Sequence, residues 1–168
     1  EIQTADSIVY AFTVKDHSMG ARFKMYGDRN FCNGHRTVTV GMPVGYLISG
    51  PYSREENLRT VLEGRAETGG NYLCGTATDE ADTDKQVDSL AKMLTFALQT
   101  GHRAPQNFWG VGGMKIFRDL IYQMRGMMKA DHKFYKKHSQ YDFPQKQWPK
   151  MLAMYAVGAL LSNEKLKS

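Results

Sequence analysis

Hydrophobic residues in the first hundred positions follow two spacings in turn, which predicts alternating strands and helices. Continuous apolar and β-branched runs, typical of strands covered on both faces as in a parallel sheet, occupy residues 8–14, 44–49 and 71–78. Apolar residues three or four positions apart predict helices over residues 19–28, from Ser53 to about Gly69, and from Thr83 or Asp84 to Gly101. Strand–helix alternation of this kind favours parallel strands with right-handed crossovers, and therefore an α/β layered fold.

The pattern changes after Gly101. Residues 114–138 carry apolar side chains on a helical repeat, surrounded by lysines and arginines, which predicts one basic amphipathic helix. The glycine-rich residues 110–113 before it are predicted to form a turn, and residues 141–144 to end the helix. A final helix is predicted to begin near Pro149 and to end near Leu161.

Composition adds a division of charge to this picture. The chain has 168 residues, 42% of them hydrophobic and 23% charged, which fits one compact domain and excludes collagen-like or disordered chains. The net charge of +5 is uneven, because residues 1–102 carry 10 Lys and Arg against 13 Asp and Glu, whereas residues 103–168 carry 12 against 4. We therefore predict a core over residues 1–101 and a basic helical extension over residues 102–168, packed on the core or on a partner subunit.

Two further features bear on the setting of the protein. The longest apolar run, residues 151–161, is shorter than the roughly 20 residues that a membrane-spanning helix needs. Two cysteines, Cys32 and Cys74, do not make a disulfide framework, so we expect a cytoplasmic location. Because the chain opens at Glu1, close to a predicted strand and without an apolar signal region, we expect it to be the later part of a longer protein.

The candidate binding residues lie in loops that follow the predicted strands, since ligands of open parallel sheets bind beyond the carboxyl ends of the strands. The first loop offers hydroxyl, amide, ammonium and imidazole groups; its residues are Thr13, Val14, Lys15, Asp16, His17, Ser18 and Met19. The second offers Ser49, Gly50 and Tyr52, a glycine for close backbone approach and a ring for stacking on a flat ligand. A third loop covers residues 76–82. The alternative is that these are ordinary solvated turns.

Two segments resemble a known family. Ala-Asp-Ser-Ile-Val-Tyr at residues 5–10 and Ser-Met-Gly-Ala-Arg-Phe-Lys-Met-Tyr-Gly-Asp-Arg at residues 18–29 are similar to a stretch of flavodoxin-like NAD(P)H-dependent FMN reductases and iron–sulfur flavoproteins. The resemblance covers roughly residues 1–101. It implies a partial flavodoxin-like three-layer parallel sheet, strands 3 to 5 of five, followed by an α-helical carboxyl-terminal extension.

The sequence departs from the family in two respects. The family commonly has Ser/Thr-Pro-x-Tyr against the flavin ring, where this chain has Phe12-Thr13-Val14-Lys15. The family's phosphate-binding loop follows its first strand, and these residues begin at the third. The resemblance therefore implies the carboxyl-terminal portion of a flavoprotein, without the loop that anchors the FMN phosphate.

The resemblance also implies a function. Residues 13–19 would contact the ring of FMN, and Ser49, Gly50 and Tyr52 its other edge, with NADH or NADPH as reductant and a small molecule or protein as electron acceptor. Lys15 or His17 would stabilise the anionic reduced flavin. Any iron–sulfur cluster would belong to residues outside this chain. The competing hypothesis is a non-catalytic flavodoxin-like binding or assembly module without a cofactor.

Other constellations are weaker. Cys32, His35, Cys74 and His102 lack the paired spacing of a metal site, and we predict none. His132 and His138 are expected on the solvated side of a basic helix. For the basic extension we rank packing on the core or a second subunit first, giving a homodimer or higher oligomer. An anionic membrane surface ranks second and nucleic acid third.

Overall fold

The computed structural model describes residues 2–33, 35–36, 38–141 and 148–162. Within these ranges the protein is α/β, with a mixed four-stranded sheet and six α-helices. The strands are β1 (Ile8–Lys15), β2 (Ser18–Met19), β3 (Pro43–Ser49) and β4 (Tyr72–Thr78). The helices are α1 (Ala21–Asn30), α2 (Glu56–Thr68), α3 (Thr83–Thr100), α4 (Phe108–Gln123), α5 (Lys129–Lys137) and α6 (Trp148–Leu161). None of these helices is long and apolar enough to cross a bilayer.

The described residues form two compact units. Unit 1 consists of residues 2–32 and 38–113, and unit 2 of residues 33, 35–36, 114–141 and 148–162. Helix α4 begins in unit 1 and ends in unit 2. The predicted boundary near Gly101 falls at the end of α3, where Gly101 adopts the left-handed conformation that commonly ends a helix.

The sheet of unit 1 has the order β2-β1-β3-β4. Strands β1, β3 and β4 are parallel, which confirms the prediction from strand–helix alternation, and β2 is a short antiparallel addition at one edge. Tyr10 lies beside Tyr46, and Tyr46 lies beside Thr76. The carboxyl ends of the three parallel strands therefore meet at one edge of the sheet.

One face of the sheet carries the main core of unit 1. Tyr46 and Ile48 of β3 pack with Phe23 of α1 and with Leu58 and Leu62 of α2, and all five are buried. The Tyr46 hydroxyl donates a hydrogen bond to the Leu62 carbonyl at 3.1 Å, so the buried phenol has a partner. Burial raises the pKa of Tyr46 to about 12, which keeps this donor protonated at neutral pH.

The opposite face is only partly covered. A Cβ placed on Gly45 would lie 2.8 Å from Leu90 Cδ1, so α3 packs closely against β3 on this side. Along β1, exposed residues alternate with half-buried ones, and Val9, Ala11 and Thr13 are exposed. The prediction that this strand is covered on both faces was wrong, because α3 lies over β3 and β4 and leaves β1 open.

The predicted starts of two helices are also corrected. Ser53 does not cap α2; Glu55 occupies the N-cap position, and Ser53 binds Glu80 instead. For α3 the N-cap is Asp82, while Thr83 is the first helical residue.

The sequence predicted one helix over residues 114–138, but the structure has two helices in this span, the end of α4 and the whole of α5. Helix α4 ends at Gln123 and α5 begins at Lys129. The chain turns between them at Gly126, where a Cβ would lie 2.5 Å from the backbone of Tyr155 in α6. Because the two backbones lie so close together, the chain bends at Gly126, and the helical spacing of apolar residues in the sequence gives no sign of this bend.

Helix α4 also begins earlier than predicted, since residues 110–113 are helical rather than a turn. A Cβ on Gly110 would lie 2.6 Å from the Glu67 carboxylate, and one on Gly113 2.4 Å from the Thr68 side chain. These glycines let α4 approach the end of α2, and packing overrides their low helix propensity. Helix α6 confirms the prediction of a final helix near Pro149, whereas the predicted break at residues 141–144 lies outside the described residues apart from Tyr141.

Helix α5 contacts His35 and Arg36. The Tyr135 hydroxyl donates to the His35 carbonyl at 2.9 Å. The Asp131 carboxylate lies 3.8 Å from His35 Nδ1 and also 3.8 Å from Arg36 Nε. The predicted turn at Asn33-Gly34 falls partly outside the described residues, because Gly34 is not among them.

His132 is half-buried rather than solvated, which corrects the expectation for this residue. Its Nδ1 lies 2.9 Å from the Tyr141 hydroxyl. Burial, together with the cations Arg125 and Lys136, lowers the pKa of His132 below its ordinary value of 6.5.

The lowered pKa of His132 predicts a pH dependence of stability. The unfolded chain binds a proton at His132 more readily than the folded chain, so the unfolding free energy falls as pH falls below about 6.5. We expect His132→Gln to flatten this dependence in denaturant titrations at a series of pH values. His138→Gln, a matched change in an exposed histidine, should leave it intact. Flattening by the His138 variant alone would contradict the assignment.

Candidate functional site

The loop predicted after the first strand is a tight hairpin. Lys15 ends β1 opposite Ser18, and Val14 pairs with Met19. Asp16 and His17 form the connection with φ values of 49° and 61°. A two-residue connection with both residues at positive φ matches the turn that best fits the twist of a β-hairpin.

The side chains of this hairpin divide into two groups. Val14 and Met19 are half-buried and pack against the core cluster of unit 1. Thr13, Lys15, Asp16, His17 and Ser18 are exposed. His17 Nδ1 lies 2.9 Å from the Glu55 carboxylate, whose side chain is 11% exposed against 89% for His17. This contact ties the hairpin to the start of α2.

Two carboxylates hold the loop that follows β3. The Ser49 hydroxyl donates to Asp79 Oδ2 at 2.6 Å, and the Gly50 amide donates to Asp79 Oδ1 at 2.8 Å. The Ser53 amide and hydroxyl donate to the two oxygens of Glu80 at 2.8 and 2.7 Å. We call these four hydrogen bonds the acidic clamp. It joins the loops after β3 and β4.

The backbone of Gly50 suits this position. Its φ of 106° is a conformation that side chains with a Cβ rarely adopt, and a Cβ here would lie 3.4 Å from Val14. Glycine therefore lets the loop turn beside the end of β1 while its amide points at Asp79. The structure thus brings Ser49 and Gly50 next to the hairpin, as the meeting of strand ends implied.

The joined loops border a cleft of about 960 Å³ at the carboxyl ends of β3 and β4. The Thr78 amide closes one wall by donating to the Gln86 side-chain carbonyl at 3.0 Å. The lining residues are residues 50–54, Thr76, Thr78, residues 79–81 and Gln86. Hydroxyl, amide and carboxylate groups therefore converge on this space.

Tyr52 lies at the edge of the cleft, and neighbouring residues hold its side chain in place. Its ring is half-buried and packs against the core cluster, and its hydroxyl is hydrogen-bonded to Thr76. Burial raises the pKa of Tyr52, with a smaller contribution in the same direction from Glu63. The ring of Tyr52 is thus fixed at the edge of the cleft.

A second, smaller groove of about 420 Å³ lies on the incompletely covered face of the sheet. Ala11, Thr13, Leu47 and Ala77 contribute to its floor, and Val87 of α3 to its side. Thr13 and Ser49 line this groove, whereas Gly50 and Tyr52 line the larger cleft. Val14, Lys15, Asp16, His17, Ser18 and Met19 line neither.

Sequence reasoning named the loop after β4 without selecting its key residues. Asp79 and Glu80 follow the last residue of β4 directly, and an acidic pair at a strand's carboxyl end was the available signal. Glu55 and Gln86 carried no comparable signal, because their partners lie in other elements. In the described part of the chain, His, Cys, Asp and Glu do not gather in any group of three that could hold a metal ion.

Comparison with known proteins gives no assignment. No protein-family model matches the chain, and no curated protein matches it.

The acidic clamp yields a prediction for the motion of the loop after β3. Hydrogen bonds from the Ser49 hydroxyl and from the Gly50 amide lower the pKa of Asp79 below its ordinary value of 3.8. The clamp therefore persists while Asp79 is ionised, and it loosens when the pH falls through the lowered pKa and the carboxylate is protonated. We expect Asp79→Asn to accelerate hydrogen exchange at the Gly50 amide severalfold at neutral pH, because the neutral amide is a weaker acceptor.

The matched control is Asp88→Asn, which removes an exposed carboxylate paired with Lys92 on α3. It should leave exchange at Gly50 unchanged. Equal rates in wild type and Asp79→Asn would mean that Asp79 does not hold the loop.

Proposed function

We propose that this chain belongs to an FMN-dependent NAD(P)H oxidoreductase of the flavodoxin-like class. The observation that carries the proposal is the cleft of about 960 Å³ between loops at the carboxyl ends of adjacent parallel strands. That edge of an open parallel sheet is where ligands of α/β proteins bind.

The strand arrangement supports the finer assignment of fold. Strands β1, β3 and β4 are parallel and lie side by side in the sheet in the order in which they occur along the chain. The resemblance implies the same arrangement for strands 3, 4 and 5 of a flavodoxin-like sheet. Helices α1 and α2 lie on one face and α3 on the other, which gives three layers. Helices α4, α5 and α6 supply the carboxyl-terminal extension of the proposal.

The lining of the cleft fits the ring of a flavin better than its phosphate. Thr76, Thr78 and Gln86 place hydroxyl and amide groups at the cleft, and Tyr52 gives it a fixed aromatic edge. A cleft of this size lies within the range typical of small-molecule sites. Asp79 and Glu80 repel a phosphate, so the proposal places the phosphate of FMN outside this cleft.

Bound FMN would supply hydride and electron transfer between NADH or NADPH and an acceptor, while the protein orients the ring. Lys15 and His17 do not line the cleft, and the proposal has them stabilise negative charge on the ring from the neighbouring hairpin. Because Glu55 offsets the charge of a protonated His17, Lys15 is the stronger of the two. The proposal retains a homodimer or higher oligomer and a small-molecule or protein electron acceptor.

Fluorescence titration tests the flavin site, with riboflavin and FMN as probes. We expect the protein to quench the fluorescence of both flavins, with similar affinity, because the two carboxylates of Asp79 and Glu80 outweigh Arg54, a cation in the lining of the cleft. Ala81→Trp, which fills the cleft, should weaken binding by at least about tenfold, or about 1.4 kcal/mol. Ala91→Trp adds the same ring at an exposed position of α3 outside the cleft and should not.

The titration would overturn the proposal if neither flavin is quenched, or if both tryptophan variants weaken binding equally. Replacing Lys15 and His17 together with alanine should leave binding of oxidised riboflavin nearly unchanged and lower the reduction potential of the bound flavin. An unchanged potential would remove these two residues from the proposed site.

The acidic clamp favours one alternative, a non-catalytic binding or assembly module. The amides of Gly50 and Ser53, which a ligand at this loop would meet first, already donate to Asp79 and Glu80. A well-folded protein without flavin quenching would support that alternative.

A further inference from the structure

Helix α6 presents an apolar face that is exposed within the described part of the chain. Lys150 is its one charged residue, so the helix is hydrophobic nearly all round. Met151 is 1% exposed and Gly158 is buried, whereas Leu152 is 67% exposed and Leu160 is 59% exposed. A helix that is apolar on every side is normally buried on every side, and this one is not.

Helical geometry locates the exposed residues on one side. Leu152, Ala156 and Leu160 are spaced four residues apart and therefore form a row along the helix. At about 100° per residue this row lies roughly opposite Met151 and Gly158, which make the inward contact. We call Leu152, Ala156 and Leu160 the outer row. It contains no group that could bind a phosphate or a carboxylate directly.

Unit 2 as a whole is strongly basic. Its described residues include nine Lys and Arg against two Asp. On α5, Tyr135 is 1% exposed and faces inward, while the basic residues share the opposite side and are exposed; they are Lys129, Lys133, Lys136 and Lys137. Unit 2 thus joins an uncovered apolar row to a large positive charge.

We propose that unit 2 binds the surface of an anionic lipid bilayer, with the outer row of α6 inserted among the lipids. Peripheral helices of this kind combine a buried apolar face with basic residues that are attracted to anionic headgroups. Trp148 at the start of α6 is 59% exposed, and tryptophan favours the level of the headgroups. This inference is independent of the flavin proposal.

Charge decides between a bilayer and the two other partners considered for this region. A second copy brings the same positive charge to the interface, and like charges oppose that association. A nucleic acid needs cations at the contact, and the outer row has none. An anionic bilayer satisfies both features, since it accepts apolar side chains and attracts the positive charge of unit 2.

Co-sedimentation of the intact chain with lipid vesicles tests the proposal. We expect binding to phosphatidylcholine vesicles that contain phosphatidylserine, much weaker binding to pure phosphatidylcholine, and a decrease at high salt. Replacing Leu152 and Leu160 with serine should weaken binding by at least about tenfold. Replacing Val61 and Val111 with serine removes smaller apolar side chains at exposed positions of unit 1 and should have little effect.

A second measurement guards against misfolding of the α6 variant. In a Trp109→Phe background, the emission of Trp148 should shift to shorter wavelength when anionic vesicles are added to the otherwise unchanged protein. Absence of both the shift and co-sedimentation would overturn the proposal. So would equal binding to both vesicle types, or a dimer that dissociates when Leu152 and Leu160 are replaced. Competition by duplex DNA would also overturn it, if the DNA displaces the vesicles and the variant with Leu152 and Leu160 replaced by serine no longer binds the DNA.

Discussion

Replacing Gly158 with valine is expected to lower the unfolding free energy of unit 2 by about 3 kcal/mol, at the upper end of the usual cost of overpacking. A Cβ at Gly158 would lie 2.4 Å from the carbonyl oxygen of Gly126 and 3.2 Å from Met127 Cα. These are backbone atoms, which cannot rotate aside as a side chain does. Helix α6 would have to move away from the bend between α4 and α5.

Denaturant titration checks this expectation through tryptophan fluorescence. The chain has two tryptophans, Trp109 in unit 1 and Trp148 in unit 2, so a Trp109→Phe background reports on unit 2. Gly64→Ala is the matched control, because a Cβ at that helical position meets nothing within 4 Å. Gly64 lies in unit 1, so this variant should leave the unfolding transition reported by Trp148 unchanged. Wild-type stability in Gly158→Val would show that α6 does not pack closely at Gly126.

The second large effect is expected in unit 1. Tyr46→Ala should lower the unfolding free energy by about 3–5 kcal/mol, as truncation of a large buried aromatic side chain generally does. Tyr46 is 1% exposed, lies in the middle strand of the three parallel ones, and stacks 5.8 Å from the ring of Tyr10. Its loss leaves a cavity among side chains from α1, α2 and the sheet.

Tyr46→Phe separates packing from hydrogen bonding at the same site. The ring stays and only the bond from the hydroxyl to the Leu62 carbonyl is lost, which should cost about 1 kcal/mol. The measurement is denaturant unfolding followed by Trp109 in a Trp148→Phe background. Equal losses in the two variants would mean that the hydroxyl, and not the ring, determines the stability of this core.

The sequence was sufficient to predict the elements whose signals are local and strong. Strands β1, β3 and β4 coincide with apolar runs, and their parallel pairing followed from the helices between them. Helix α3 kept its predicted end because Gly101 takes the left-handed conformation there. For these elements, periodicity and end signals agreed with the tertiary structure.

Two of the errors have the same physical cause, which is contact between segments distant in the sequence. The helical state of residues 110–113 depends on packing against the end of α2, and the bend at Gly126 depends on α6. The Asp16-His17 hairpin lacked the glycine that usually marks such a turn.

The acidic clamp was beyond sequence reasoning for a similar reason. It joins Ser49 to Asp79 and Ser53 to Glu80, pairs about thirty positions apart that meet only after the strands align. The loops of the candidate site could therefore be predicted, but not which side chains hold them together.

The register of the sheet also has a consequence for how the protein folds. Ile8 pairs with Val44, and Pro43 pairs with Tyr72, so each strand pairing closes a chain segment about thirty residues long. The helices of unit 2 form from neighbours three or four positions apart. High contact order slows folding, so the sheet of unit 1 should assemble after the helices of unit 2, and the candidate cleft should be among the last features to form.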